Sequence, residues 1–437
     1  VVSVEPIEAC LMKFPGLDIY PKYNRYLLVT FMLLLVGCTA PEIIRSTAIP
    51  GKLTQPIASP TTTNIATPTR TRIETATVAS STIPQSDSPL VILPLAEGKH
   101  ELYGLLELTL QTSIQVSNPY DPDEIDLRLE FIAPSGKVVE VGAFWYQDYD
   151  MQTRTLKGKP IWNARFTPTE IGQWSAVARI PEKGWESTAA NFQVVESDNP
   201  GFIRLHPTNP RYLAFDNGDF FFPIGLNMGW WGGGADAIEE YGRWLDLFTN
   251  TGGNTIRVWM AAWSFGIEWK DTGLGNYNNR MYEDWLLDQL FKLAEAHHVK
   301  IILVLMNHGP LSLYTNTEWK DNPYNAALGG PLDTPDQFVT DPIAKAYYQR
   351  RLNYIVNRWG YSTSLLAWEW FNEVNLTTIT DETLIPWLQE MTVDLRERDV
   401  NHHRTSISYA GQGSPSIWNM PEIDIIQKHE YALQERA

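Results

Sequence analysis

Cysteine is nearly absent from this chain. The only two, Cys10 and Cys38, precede every segment that could fold, so the folded part has neither a disulfide nor a thiolate metal site. Its stability must come from a large core. Basic residues are also short. A count of 34 Lys and Arg against 51 Asp and Glu leaves a formal charge of -17, which excludes nucleic acid as a partner because nothing would neutralise the phosphates. That charge suits a secreted protein with a neutral partner. No phosphate-binding glycine pattern opens a helix, and the string GWWGGGAD at 229–236 is the wrong one for a dinucleotide site. Long apolar runs are missing too, since the single candidate, 26–36, is too short to span a bilayer comfortably. Aromatic residues, in contrast, are plentiful, with 17 Trp and 19 Tyr. Flat rings stack on apolar ligand faces, although most of these belong to core packing. The 437 residues exceed one ordinary domain and accommodate two, at about 100–200 residues each.

The first segment reads as an address. Lys22 and Arg25 precede the apolar run, and Leu35-Val36-Gly37-Cys38 closes it. A basic flank followed by a short apolar stretch describes a secretory leader. Its last four residues resemble the lipobox of bacterial lipoproteins, where cleavage precedes a cysteine that is then lipidated. The resemblance implies a leader over 1–38, a lipid on Cys38 and attachment to the membrane on the extracytoplasmic side. The chain lacks Met at position 1, and residues 1–21 lie upstream of an ordinary leader, so a fragment or a mis-set start is expected. Residues 39–89 are rich in Thr, Ser and Pro with no apolar period. Such a segment cannot bury enough surface to offset its ordering entropy and is expected to be a disordered tether.

Residues 90–197 read as strands. IDLRLEFIA alternates apolar and polar residues, PSGK is a turn, and VVEVGAFWY resumes the alternation. The stretch 162–180 reads as a hairpin-like pair around Gly172, with Trp162, Phe166 and Trp174 as core. Short strands with turns between them predict an all-β sandwich. This region resembles the immunoglobulin-like domain of unknown function found ahead of bacterial glycosidase barrels, where a spacer or packing role is expected before sugar binding.

From 198 to 437 strand-like runs alternate with amphipathic helices. The runs are FFFPIGLN, NTIRVWM, KIILVLMNH, LLAWEWFNE, RTSISYAG and IDIIQKHEY. Between them, Ile238, Tyr241, Leu245 and Phe248 recur at helical spacing. So do Leu287, Leu290, Phe291 and Ala294, then Ala344, Tyr348, Leu352, Ile355 and Trp359, and a further helix covers about 382–398. Repeated βα units with solid apolar strands predict an α/β fold with a parallel sheet covered by helices. A (β/α)8 TIM barrel fits best, with a doubly wound sheet as the alternative.

In a parallel barrel the site lies at the C-terminal strand ends. The polar residues ending these runs are Asn227, Arg257, Asn307 with His308, Asn372 with Glu373, and His429, while the fifth run offers Tyr409. Chance capping would scatter such residues rather than supply them strand after strand. The set resembles glycoside hydrolase clan A, the family 5 type of cellulases and mannanases. There the fourth strand ends in Asn-Glu, the second carries an Arg, the third a His and the sixth a His-x-Tyr. The matching positions are Asn372-Glu373, Arg257, His308 and His429-Glu430-Tyr431, within a region that runs from about Gly201 onward.

The resemblance implies a retaining hydrolase of a β-linked polysaccharide or oligosaccharide that uses neither metal nor cofactor. Glu373 becomes the acid/base, and Asn372 binds the sugar 2-hydroxyl. Arg257 orients and charge-balances the attacking carboxylate, while His308, His429 and Tyr431 complete the polar floor. Such chemistry needs a protonated carboxylic acid and a second carboxylate about 5 Å away. Glu373 is therefore expected to keep its proton near neutral pH, through burial and a neighbouring carboxylate. Glu369, roughly 13 Å deeper if the strand stays extended, reads as a buried partner of a base, and Glu430 as facing away. Trp230, Trp231, Trp263 and Trp269 are candidate sugar platforms, with Asn227 and Asn307 as further substrate contacts. The long loop 309–340 reads as structureless and as the wall of a cleft.

In that clan the attacking carboxylate ends a seventh strand, and six runs are present here. The expectation is an unclosed barrel, truncated at its C-terminal side and unable to turn over, since Glu422 and Glu435 do not occupy the required position. The competing reading is a non-catalytic surface lipoprotein that binds carbohydrate, and a weaker third is an adhesin built on the sandwich.

Overall fold

The computed structural model describes residues 88–95, 98–232 and 236–431. The leader, Cys38, nearly all of the linker and Glu435 lie outside the described residues.

Six parallel strands form one sheet: β1 (Gly225–Asn227), β2 (Thr255–Trp259), β3 (Lys300–Val304), β4 (Leu365–Glu369), β5 (Arg404–Ala410) and β6 (Ile425–His429). Helices α1 (Ala237–Thr249), α2 (Met281–Ala296), α3 (Pro342–Trp359) and α4 (Asp381–Arg398) connect the first five, and the short α5 (Pro415–Trp418) precedes the sixth. The strands lie in the order β1-β2-β3-β4-β5-β6. A doubly wound sheet reverses its order at a switch point, so this order leaves a curled half-barrel. Every residue of β2 and of β4 is buried, as expected for strands covered by helices on one side and packed inside the curl on the other. Helix α3 shows how local signals set an element's bounds. The Asp341 carboxylate accepts from the N–H groups of Ile343 and Ala344, Pro342 occupies the first turn, and Ala344, Tyr348, Leu352, Ile355 and Trp359 are buried.

The run FFFPIGLN does not form one strand. Phe220–Phe221 joins a small antiparallel sheet with Ile203–Leu205 and Leu213–Phe215, and only Gly225–Asn227 enters the half-barrel. Pro223 lies between the two pieces and has no N–H to offer a ladder.

Residues preceding the half-barrel form two further sheets. One runs in the order Leu90–Ile92, Leu106–Thr112, Leu156–Phe166, Phe144–Tyr149. The other runs Lys99–Glu101, Ala190–Val195, Gly172–Ile180, Arg128–Ile132, Val138–Gly142. They share one core, in which Phe166 stacks on Phe131 with centroids 4.0 Å apart and meets Trp174 at 5.3 Å. The hairpin expected around PSGK is present, with Ile132 opposite Val138. The pair expected around Gly172 is not. Leu156–Phe166 pairs with Leu106–Thr112 and Phe144–Tyr149, whereas Gly172–Ile180 belongs to the other sheet. Alternation identifies which face of a strand is buried but not which strand lies beside it.

The loop 309–340 is also more ordered than its composition implied. It contains four short 3-10 turns, and Leu311, Tyr324, Leu332, Phe338 and Val339 join the half-barrel core.

Candidate active site

The C-terminal ends of β2, β3, β4 and β6 converge on one hydrogen-bonded network. Arg257, near the middle of β2, is 7% exposed, and its guanidinium reaches across the curl to Glu369 at the end of β4. Nε donates to Oε2 at 2.7 Å and Nη2 to Oε1 at 2.5 Å. Glu369 is fully buried and also accepts from Gln427 Nε2 of β6 at 2.8 Å. The two charges thus satisfy each other in a bidentate pair, the geometry for which guanidinium is suited. The resemblance had Arg257 balancing the attacking carboxylate, but here that charge is balanced by Glu369. The remaining donors of Arg257 fix two amides, Asn372 Oδ1 at 2.8 Å and Asn227 Oδ1 at 3.2 Å.

With Asn372 Oδ1 so engaged, its Nδ2 is left to donate to His308 Nδ1 at 3.0 Å. His308 Nε2, on the other side of the ring, lies 3.3 Å from Asn316 Nδ2, so an amide nitrogen faces each ring nitrogen. Burial holds the His308 pKa below its ordinary value against the opposing pull of Glu373. The orientation of the His308 ring is thus tied through Asn372 to an arginine on another strand.

Glu373 sits among these groups and is 4% exposed. Oε2 lies 3.7 Å from His308 Nδ1, and Oε1 meets His429 Nδ1 at 2.8 Å and accepts from the Tyr431 hydroxyl. Its backbone is left-handed, with φ 52° and ψ 52°, a conformation that costs a residue bearing a Cβ about 1–2 kcal/mol. Ser408, buried on β5, holds it there: its Oγ accepts from the Glu373 N–H at 2.9 Å. The left-handed turn lies just beyond the strand and leads the chain into the 3-10 turn at Val374–Leu376.

One expectation is reversed. Burial pushes the Glu373 pKa up, but the hydrogen bonds from His429 and Tyr431, with the charges of His429 and His308, outweigh it and hold the carboxyl below its ordinary range. The neighbouring carboxylate that would keep a proton on Glu373 does not appear in this network. Its second carboxylate, Glu369, is spent on Arg257.

The tryptophans divide. Trp230 and Trp263 are 41% and 44% exposed and meet edge to face at 5.8 Å, forming an aromatic rim beyond β1 and β2. Trp231 packs on Phe265 instead, and Trp269 lines a small recess of about 30 Å³ with Glu268, Asn307, Tyr324 and Arg351. Asn307 donates to Glu318 at 3.4 Å. Tyr409, the candidate of the fifth strand, bonds Asp381 at the start of α4. Glu430 is exposed and pairs with Lys428. Two residues that sequence reasoning did not single out matter here. One is Ser408, whose signal was its alternate position to Tyr409 on a buried strand. The other is Glu318, half-buried in the long loop, whose pKa burial raises to about 7. Nothing in the sequence marks that glutamate.

Residues 99–178 match the family described as a domain of unknown function, DUF5060. Mannan endo-1,4-beta-mannosidase 1 of Oryza sativa subsp. japonica is 24% identical over 219 residues, covering 46% of this chain and 48% of that protein. Mannan endo-1,4-beta-mannosidase 7 of Arabidopsis thaliana is 26% identical over 264 residues, covering 53% and 58%. The chain thus spans about half the length of these curated relatives. Among solved structures, a Bacteroides vulgatus protein named only provisionally as a glycoside hydrolase superposes with a TM-score of 0.55 at 18% identity, over 76% of this chain and 60% of that one. About half of this chain is therefore homologous, at low identity, to mannan endo-1,4-beta-mannosidases, and its fold has a counterpart among solved structures.

Proposed function

We propose that this chain carries the acid/base half of a retaining glycoside hydrolase that cleaves O-glycosidic bonds of a β-linked polysaccharide, with β-1,4-mannan as the first substrate to test. One observation carries the reading. Glu373, in a strained backbone conformation just past β4, is preceded by an asparagine whose orientation is set by Arg257 and His308. A carboxyl held at a defined angle beside a fixed amide is what protonation of a glycosidic oxygen requires while a 2-hydroxyl is bound. The exposed Trp230–Trp263 rim supports a flat pyranose partner, and the mannosidase relatives favour mannan.

In this reading Glu373 gives its proton to the glycosidic oxygen as the bond to the anomeric carbon breaks, and a carboxylate forms the new bond to that carbon. Glu373 then takes a proton from water, whose oxygen displaces the ester. We place the attacking carboxylate outside the described residues, on a strand pairing with the open edge of β6. Its negative charge beside Glu373 would raise the acid's pKa into the working range. The immunoglobulin-like reading of 90–197 and the lipid on Cys38 belong to the same proposal, which describes a glycanase held at the cell envelope. Fatty-acid labelling of the expressed protein should disappear in Cys38→Ala, and label that persists there removes the anchor.

A second reading, a carbohydrate-binding protein without catalysis, is favoured by the low pKa of Glu373 and by the commitment of Glu369 to Arg257. Calorimetric titration with mannohexaose and release of reducing ends from β-mannan separate the two. Binding with cleavage by the full-length gene product supports the hydrolase. Binding without cleavage by that same product supports the second reading, and neither binding nor cleavage rejects both.

A further inference from the structure

The groups joining the two-sheet region to the half-barrel are unlike those of a passing contact. Arg165, on the strand Leu156–Phe166, is buried, and its Nη1 donates to Asp288 Oδ1 of α2 at 2.6 Å and to the Arg358 carbonyl of α3 at 3.1 Å. Asp288 also accepts from Arg358 Nη2 at 2.6 Å and from Trp359 Nε1 at 2.8 Å. One buried carboxylate therefore holds two guanidinium groups, one from each side of the boundary. Burial works against its charge, yet the two arginines overcome this and hold its pKa at about 2. The rings of Phe144 and Tyr146 lie against both guanidinium groups at 5.0–5.8 Å, and these two residues belong to the same apolar core as β2, β3 and β4. Each side also holds a pair of its own, Arg165 with Glu107 at 2.8 Å and Arg358 with Asp284 at 3.6 Å, and Asp288 is the carboxylate that ties the two sides together.

Helices α2 and α3 are also the elements that lead into β3 and β4, whose ends bear His308 and Glu373. Helix α3 reaches the site side directly, because Arg351 Nη2 donates to the Leu305 carbonyl at 2.7 Å, two residues before Asn307. A glycan-binding module, by contrast, needs an exposed aromatic face. Among the described residues of this region the large apolar side chains exposed to solvent are Ile132, Val138, Met151, Leu156, Ile161 and Ile171, and none is aromatic.

We propose that the domain matching DUF5060 is a buttress whose partner is the α2–α3 face of its own chain, and that it keeps β3 and β4 in place rather than binding glycan. This holds whether or not the half-barrel is catalytic.

Thermal unfolding and hydrogen–deuterium exchange of the full chain test it. In the unaltered protein, peptides from 162–180, 300–308 and 365–373 should share one opening equilibrium. Arg165→Met leaves Asp288 short of a partner and should lower Tm by roughly 5–15 °C. It should also speed exchange in 300–308 and 365–373 by about ten-fold or more. Thr167→Val removes only the 2.7 Å bond to the Tyr361 carbonyl, so it supplies a mild variant if Arg165→Met does not fold, with about two- to five-fold faster exchange expected in the same peptides. Arg179→Ala, at a partly exposed pair of the same domain, should leave them unchanged. The proposal is overturned if exchange in 300–308 and 365–373 stays at the unaltered rate while the domain's own strands loosen, or if the two regions melt independently in the unaltered protein.

Discussion

Glu373→Gln, made in the full-length gene product, is expected to lower hydrolysis of β-glycosides with poor leaving groups by about 10²–10⁴-fold, the usual contribution of a positioned general acid. Gln fills the same space and keeps an oxygen for His429 and Tyr431, the groups that hold the carboxylate now, so folding should change little. The first step on activated aryl glycosides should be spared, because a leaving group that departs as a stable anion needs no proton. The second step loses its base, and a small anion such as azide, which attacks without deprotonation, should restore turnover as glycosyl azide. Initial rates on the two substrate types, with and without azide, check this. Equal loss on both would show that Glu373 is not the acid.

The largest effect on stability should come from Arg257→Met. Glu369 is fully buried and relies on Arg257 for two of its hydrogen bonds, with Gln427 supplying another. Removing the guanidinium strands a carboxylate inside the curl, and breaking a buried pair in this way costs about 3–5 kcal/mol. Asn372 loses the donor that sets its orientation, so its contact with His308 is loosened at the same time. Arg257→Met with Glu369→Leu should recover much of the stability, since no unpaired charge remains, yet Asn372 would still be loose. Urea unfolding of the single and double variants measures the first effect, and the His308 imidazole nitrogen shifts by NMR report the second. A double variant no more stable than the single one would mean that the pair is not the source of the loss.

Much of this was legible without coordinates because it is written locally. The bounds of α3 follow from Asp341, Pro342 and an i+3, i+4 apolar stripe. The strands β2 and β4 follow from solid apolar runs, which need no knowledge of partners. Polar residues within or just past those runs were collected as one site, and Arg257, His308, Asn372, Glu373, His429 and Tyr431 do lie in one network, joined through Ser408. Asn307 and Tyr409 follow the same rule of placement but bond elsewhere, to Glu318 and Asp381.

What the sequence by itself determined is therefore the elements, their alternation and the short list of polar residues at strand ends, since helical and strand periods and capping residues act within a few positions of the chain. Only the tertiary structure decided which strands lie side by side, so that Trp162 and Trp174 fall in separate sheets. It alone paired Arg257 with Glu369 and brought Ser408 beneath Glu373 across 35 residues. It also drove the Glu373 pKa down rather than up, because a titrating group responds to charges and hydrogen bonds within a few ångströms whatever their distance along the chain.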